Sequence, residues 1–418
     1  MIQTRSAIPL TLLLAACSGS GAGSDGARAS APLQPTVHDS SGVTIYEHPA
    51  DALARAPLLT LDSTPLAVFA GDLNDPSLDV SALTWPIFLE SGDLAGYDRQ
   101  ARQILVLRAA TGARVRRGRA GSGPLEIGFA GPFVALQDDS LIFDDFQNDR
   151  WAIAHPDTGV VRTIAKNAVE GLRSSRLIGR DGGGDGTYLL TVPGQALQGP
   201  PPTGRVNSPQ YIGTWVIGDD SVHARFSVPT GPRVWVKIGD GIAQYRLGLA
   251  PSTSLGRWGD GFLVARGERW TLERWDTGGR LQSEVRLDRP SVLVDDAMFE
   301  RSVQSETDEM VRAFVAAGRP ANADSILVAI RSRGYADTLA AHGSVFVSPN
   351  GTIWVTDFIM PGDSGWAATA VARDGRILGR IIEPNGKLPI AWGDDRVAIE
   401  TEDALGIATI TIRKVRGL

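Results

Sequence analysis

Histidines, aspartates and a single cysteine are the residues of this chain with the widest chemical reach, and their spacing limits what each can do. His38, His48, His155, His223 and His342 are scattered along 418 residues. No two stand at the short spacing by which a turn or helix holds a metal ion. Asp138, Asp139, Asp144, Asp145 and Asp149 offer oxygens that calcium prefers. They fall on two turns of one repeat, however, without the spacing of a helix–loop–helix calcium site, and read as turn chemistry. Residues 180–186 (RDGGGDG) carry a Gly-Asp pattern that also suits calcium, but it occurs once. These patterns assign no catalytic residue, no metal ligand and no cofactor. Arg114, Arg116, Arg117 and Arg119 form the one short basic run; it reads as a solvated strand end, with an anionic contact as the alternative.

Gly362-Asp363-Ser364-Gly365 resembles most of the serine-protease G-D-S-G-G motif, and Ala340-Ala341-His342 resembles the surroundings of that family's histidine. Only about 20 residues separate them, too few for the barrel and third triad member that must lie between. Trp366 stands where the last glycine belongs. The segment reads as a loop between strands.

Cys17 is different, because its position explains it. Arg5 precedes an apolar run, residues 7–16 (AIPLTLLLAA), too short to span a bilayer as a stable helix. Leu14-Ala15-Ala16-Cys17 resembles a lipobox, which implies a signal peptide of residues 1–16 and a lipid on the Cys17 sulfur. Ser18, rather than Asp, after the cysteine favours the outer membrane by resemblance to known sorting rules. Residues 17–36 read as a Gly/Ser/Ala tether reaching roughly 25 Å on average. The expected localisation is therefore the cell envelope, with the membrane as one partner through Cys17.

These features must be positioned by a fold, and the composition points to strands. Hydrophobic residues at 43 % and charged residues at 21 % mark a globular chain. Its 48 glycines and 25 prolines require many turns. With one cysteine the body has no disulfide to rely on. A net charge of −6 without a clustered basic face argues against nucleic acid. A monomer is expected.

From residue 37 onward, short apolar runs alternate with Gly, Asp, Asn and Pro turns, and the order repeats about every forty residues, the period of a propeller blade. One unit runs from about Leu83 through residues 113–117, and the next from about Gly131 through residues 160–164. Both read strand, acidic turn, strand, loop, strand, D/T-x-G turn, strand. Weaker copies cover residues 174–238, 254–288, 344–384 and 390–413. The expectation is an all-β, six-bladed β-propeller over residues 37–418, with paired β-sandwiches as the alternative. Residues 43–46 (VTIY) are expected to close the ring beside residues 407–413. Residues 295–334 break the pattern with a small helical insertion. Phe299, Val303, Val311, Phe314 and Val315 lie near helical spacing, Gly318 and Pro320 stop the first helix, and Asn322 or Asp324 caps a second. The hairpin would sit on the rim as a plug or cover the channel mouth as a lid.

Gly121-Ser122-Gly123-Pro124-Leu125-Glu126-Ile127, followed by Asp144-Asp145-Phe146-Gln147-Asn148-Asp149-Arg150, resembles the NHL-type repeat, with Leu125 and Ile127 as departures. Residues 39–45 and 347–355 resemble a group of bacterial six-bladed, NHL-like or TolB-like propeller lipoproteins with no assigned function. The resemblance implies the fold and carries over no catalytic residue. Two functions stay open. One is a scaffold binding a protein, peptide or glycan; the other is a metal-dependent lactonase-like hydrolase or lyase at the channel. Three or more Asp, Glu, Asn or His side chains converging on the axis would favour the enzyme, and an apolar channel the binder. Trp270 and Trp275 are expected between blades; Trp85, Trp258, Trp366 and Trp392 are candidates for a binding surface.

Overall fold

The computed structural model describes residues 31–136, 138–172, 175–180, 187–192, 204–216, 219–238, 241–316 and 318–418. The segment expected to be a signal peptide, Cys17, most of the expected tether and the Gly-Asp run after Arg180 lie outside these residues. The strands form six sheets. Blade 1 holds Leu83–Phe88, Leu94–Asp98, Gln103–Leu107 and Arg114–Arg117, and blade 2 holds Ala130–Ala135, Leu141–Asp145, Arg150–His155 and Gly159–Ala165. Blade 3 runs from Arg176–Arg180 through Thr187–Val192 and the long strands Arg205–Val216 and His223–Ile238 to Gly241–Arg246. Blade 4 is Thr253–Trp258, Gly261–Arg266, Thr271–Trp275 and Leu281–Leu287. Blade 5 is Val345–Val347, Ile353–Thr356, Trp366–Val371 and Ile377–Glu383. Blade 6 is Ala391–Trp392, Arg396–Glu402 and Ala408–Arg416.

Each blade is covered on both faces, so its middle strands read as unbroken apolar runs; Leu94–Asp98 and Ile353–Thr356 are buried throughout. The period of two sorts their side chains between neighbours. In blade 1, Leu94, Leu105 and Leu107 enter the cluster shared with blade 6, with Phe69, Ile410 and Ile412. Ala95, Tyr97, Ile104 and Val106 enter the cluster shared with blade 2, with Phe133, Leu141 and Phe143. Similar clusters join blades 2 and 3, 3 and 4, 4 and 5, and 5 and 6. Six clusters for six blade pairs close a ring, and the fold is a β-propeller.

Ring closure differs from the expectation. Ala67–Ala70, not residues 43–46, pairs with Ala408–Arg416, and it leads directly into blade 1. Ala67 and Phe69 face the core while Val68 and Ala70 face out. Val43–His48 instead runs parallel to Leu281–Leu287, with Thr36–Ser40 on its other side, and widens blade 4 to six strands. Both segments are short and apolar, so pattern alone cannot choose between them; the choice rests on which edge each one reaches. Val43–His48 is held by blade 5 as well. The Tyr46 ring lies on Gly375, whose φ of +79° and whose space, with a Cβ only 2.5 Å from that ring, admit no other residue easily. The chain is ordered before residue 37: Leu33 exchanges backbone hydrogen bonds with Ile377 at 2.8 and 3.1 Å.

Helix α1 (Ala52–Arg55) is a single turn on this N-terminal path. Helices α2 (Asp296–Ala316) and α3 (Ala323–Arg331) form the expected insertion. Phe299 and Val303 pack on Ile326 and Ile330, and the Asn322 side chain caps α3 by accepting from the Ser325 amide at 2.9 Å. Val315, expected on the apolar face, is 64 % exposed, because it falls one residue off the 299–303–314 stripe. The hairpin is fixed on the rim beside blade 3: the Gly248 amide donates to Gly334 at 2.9 Å, and Arg333 lies over the Tyr245 ring at 4.8 Å.

Candidate functional site

In a propeller the first strand of each blade lines the axis, and here a cavity of about 470 Å³ opens there. Its walls come from the first strands of blades 1, 2, 4, 5 and 6 and the turns that follow them, with Arg373 added from the turn between the third and fourth strands of blade 5. They carry Trp85, Ile87 and Phe88, then Phe133 and Leu136, Leu255, Val345 to Val347, and Ile390 with Trp392. A register shift between Thr84 and Ile87 places Trp85 at φ +49°. Such a bulge re-aims a side chain, and Trp85 meets Phe129 edge-on at 6.3 Å. On the wall from blades 5 and 6 Phe346 stacks on Trp392 at 5.9 Å, Trp354 lies 5.0 Å from it, and Trp366 meets it edge-on at 5.5 Å. The Trp354 indole is pinned by donating to Gly393 O at 2.8 Å.

Charge gathers at the hairpin-turn end, where Glu90, Arg257 and Arg373 join the lining. Arg257 Nε donates to Gly259 O at 3.1 Å. Asp394 accepts from Ser348 Oγ at 2.5 Å, from the Asn350 amide at 3.0 Å and from Asn350 Nδ2 at 2.8 Å, which ties the turns of blades 5 and 6 together. Glu90 is the one carboxylate among the described lining residues, with no histidine, aspartate or asparagine beside it. No group of three His, Cys, Asp or Glu that could hold a metal ion occurs among the described residues.

The other chemistry-bearing residues have structural tasks. Asp145 is fully buried. Its Oδ1 accepts from the amides of Gly128 and Phe129 at 3.0 and 3.1 Å, and its Oδ2 from Asn148 Nδ2 at 2.7 Å and Arg150 Nε at 3.1 Å. Arg150 in turn donates to Glu126 O at 2.5 Å, and Asn148 to Gly121 O at 3.0 Å. The motif residues thus knot the crossing from blade 1 to blade 2. Asp144 meets the buried Lys166 at 2.6 Å; burial pushes its carboxyl up, against the pull of Lys166. Asp139 accepts from the Ser91 amide at 3.0 Å. The basic run is stitching: the half-buried Arg114 donates to Ala70 O at 2.6 Å, Arg116 binds Asp98 at 2.9 Å and Arg117 donates to Asp157 O at 2.7 Å, while the exposed Arg119 meets Glu126 at 3.0 Å.

Ser364 is exposed on the loop between the second and third strands of blade 5, and Asp363 faces Arg301 of α2 at 3.5 Å. His342 is 1 % exposed, with its ring nitrogens 2.8 Å from Gly343 O and 3.2 Å from Arg266 O. Its contacts are backbone, and it makes no hydrogen bond to Ser364 or Asp363. Trp270 is buried, and Trp275 stacks on Phe226 of blade 3 at 5.5 Å, as expected of packing between blades. Of the four tryptophans read as candidates for a binding surface, Trp258, Trp366 and Trp392 are buried and only Trp85 is exposed. Trp85 and Trp392 nonetheless line the cavity. Sequence reasoning missed Arg257 and Arg373, because nothing local distinguishes them from other strand-end arginines.

His48 is also fully buried; its Nε2 donates to Gly375 O at 2.7 Å. Burial holds both His48 and His342 below the ordinary 6.5, against the pull of their backbone carbonyls. The unfolded chain therefore takes up these protons first as pH falls. Stability is full above about pH 6.5 and is lost as pH drops toward the depressed folded values, by up to about 1.4 kcal/mol per pH unit for each histidine. Urea midpoints measured between pH 7.5 and 5.5 should fall, and His48→Gln, which keeps a donor toward Gly375, should make the decline shallower. An unchanged slope would remove His48 from this account.

A ring of six sheets around an apolar, aromatic-walled cavity defines this chain as a β-propeller with an open channel site. No family model matches the chain, and no curated protein matches it. Among solved structures it is similar to a member of the DUF4221 family from Bacteroides vulgatus, at 10 % identity and a TM-score of 0.49 over 86 % of this chain and 98 % of that one. It is similar to a streptogramin B lyase at 11 % identity and a TM-score of 0.39, over 84 % and 97 %. A gluconolactonase from Xanthomonas campestris is 14 % identical with a TM-score of 0.36, over 92 % and 94 %.

Proposed function

We propose that this protein is a lipid-anchored binding propeller of the cell envelope, whose channel receives an apolar-faced ligand such as a peptide segment. The observation that carries the reading is the cavity wall. Ligand pockets are built from apolar and aromatic side chains with a few polar groups for orientation, and here Trp85, Phe133, Phe346 and Trp392 face a space of about 470 Å³. The lipobox at Cys17 supports the anchor, which would hold such a binder at a membrane surface.

The test uses the full chain carrying Cys17→Ser, so that no lipid is attached, and the neutral fluorophore N-phenyl-1-naphthylamine. One saturable site per chain is expected. Ala135→Trp, which adds bulk to the cavity wall in blade 2, should weaken it by about tenfold or more in a variant that keeps the parent's circular dichroism spectrum. Undiminished binding in Ala135→Trp would end the channel reading. For the anchor, the wild-type chain should incorporate labelled palmitate and sediment with membranes, and Cys17→Ala should do neither.

A further inference from the structure

We infer that the ligand of this channel carries a carboxylate on an apolar body: the C-terminal residue of a peptide or a free organic acid. This rests on the channel-binding reading and names its ligand. The argument is one of charge placed against the background. The chain as a whole carries −6, yet the charged groups of the cavity are two guanidiniums and one carboxylate. Arg257 and Arg373 come from the neighbouring blades 4 and 5 and reach the same end of the axis. Glu90 comes from blade 1, which faces blade 4 across a ring of six. One side of the mouth is therefore cationic, and the apolar wall extends behind it.

Arg373 is seated for this task. Its side chain lies on the rim turn of blade 5, where a Cβ on Gly351 would fall 2.0 Å from its Nε. Among the described residues it makes no ion pair; the nearby acid, Asp260, is held by Arg274. Arg257 is steadied by its bond to Gly259 O. Guanidinium groups recognise carboxylates through paired, charge-assisted hydrogen bonds. With an aromatic-walled cavity behind them, the group they orient must bear an apolar substituent. Glu90 repels a second negative charge on the far side, which favours a ligand with a single anionic end.

The test is calorimetric titration of the full chain with Cys17→Ser against two matched pairs: acetyl-Leu-Phe with a free carboxylate against its amide, and decanoate against decanol. Each acid should bind at least about tenfold tighter than its neutral twin. The advantage should vanish in Arg373→Gln, and Glu90→Gln should keep or increase it. Tighter binding of the peptide acid than of decanoate marks a chain terminus as the source, and the reverse marks a free acid; either supports the inference. Equal affinities within each pair in the unsubstituted channel overturn it, whatever the variants do, and leave the apolar channel reading standing. Failure of all four probes together with failure of the neutral fluorophore overturns both.

Discussion

Phe69→Ala should lower the stability of the body by about 3–5 kcal/mol, the cost of emptying a large buried aromatic site. Phe69 is fully buried between blades 6 and 1, and the Arg114 guanidinium lies over its ring at 5.6 Å. Its strand is the one that turns a row of blades into a ring, so the loss falls on the seam where every other interface depends on closure. Val68, next in the same strand, is 51 % exposed, and Val68→Ala should cost no more than about 0.5 kcal/mol. Urea denaturation of the two variants checks this directly. If Phe69→Ala costs no more than Val68→Ala, Ala67–Ala70 is not the closing strand.

A loss of similar size is expected at the knot between blades 1 and 2. Asp145→Ala removes the acceptor for two backbone amides, one amide side chain and the largely buried Arg150. Breaking a buried pair from one side leaves a charge without compensation, which costs about 3–5 kcal/mol. The double variant Asp145→Leu with Arg150→Met should recover part of that, since it removes both charges. Recovery should stay incomplete, because the amides of Gly128 and Phe129 still lack their acceptor. Denaturant midpoints of the parent, the single and the double variant give the comparison. A single variant within about 1 kcal/mol of the parent would show that the crossing does not depend on Asp145.

The repeat order and the helical hairpin are legible in the sequence, for local reasons. Turn residues mark each hairpin, and burial on both faces makes the middle strands continuous apolar runs, so the blades announce themselves. The helices were visible through the spacing of Phe299, Val303 and Phe314 and the cap at Asn322, all of which act within one or two turns of chain. The glycine and acidic motifs before and within blade 2 also acted locally, and Asp145, Asn148 and Arg150 do bind the crossing loop.

Contacts between distant segments were another matter. Residues 43–46 and Ala67–Ala70 have nearly the same apolar character, and only the positions of the free edges of blades 4 and 6 decide which segment pairs where. The cavity is assembled from first strands far apart in the chain, each contributing two to five residues that are unremarkable in isolation. Arg257 and Arg373 acquire meaning only because closure brings the turns of blades 4 and 5 to one rim. The amino-acid sequence by itself determined the kind of element and the number of repeats, because these depend on neighbours along the chain. The tertiary structure alone decided which strand closes the ring, which histidines are buried and which side chains meet at the axis. Those outcomes depend on long-range packing, and no local period encodes it.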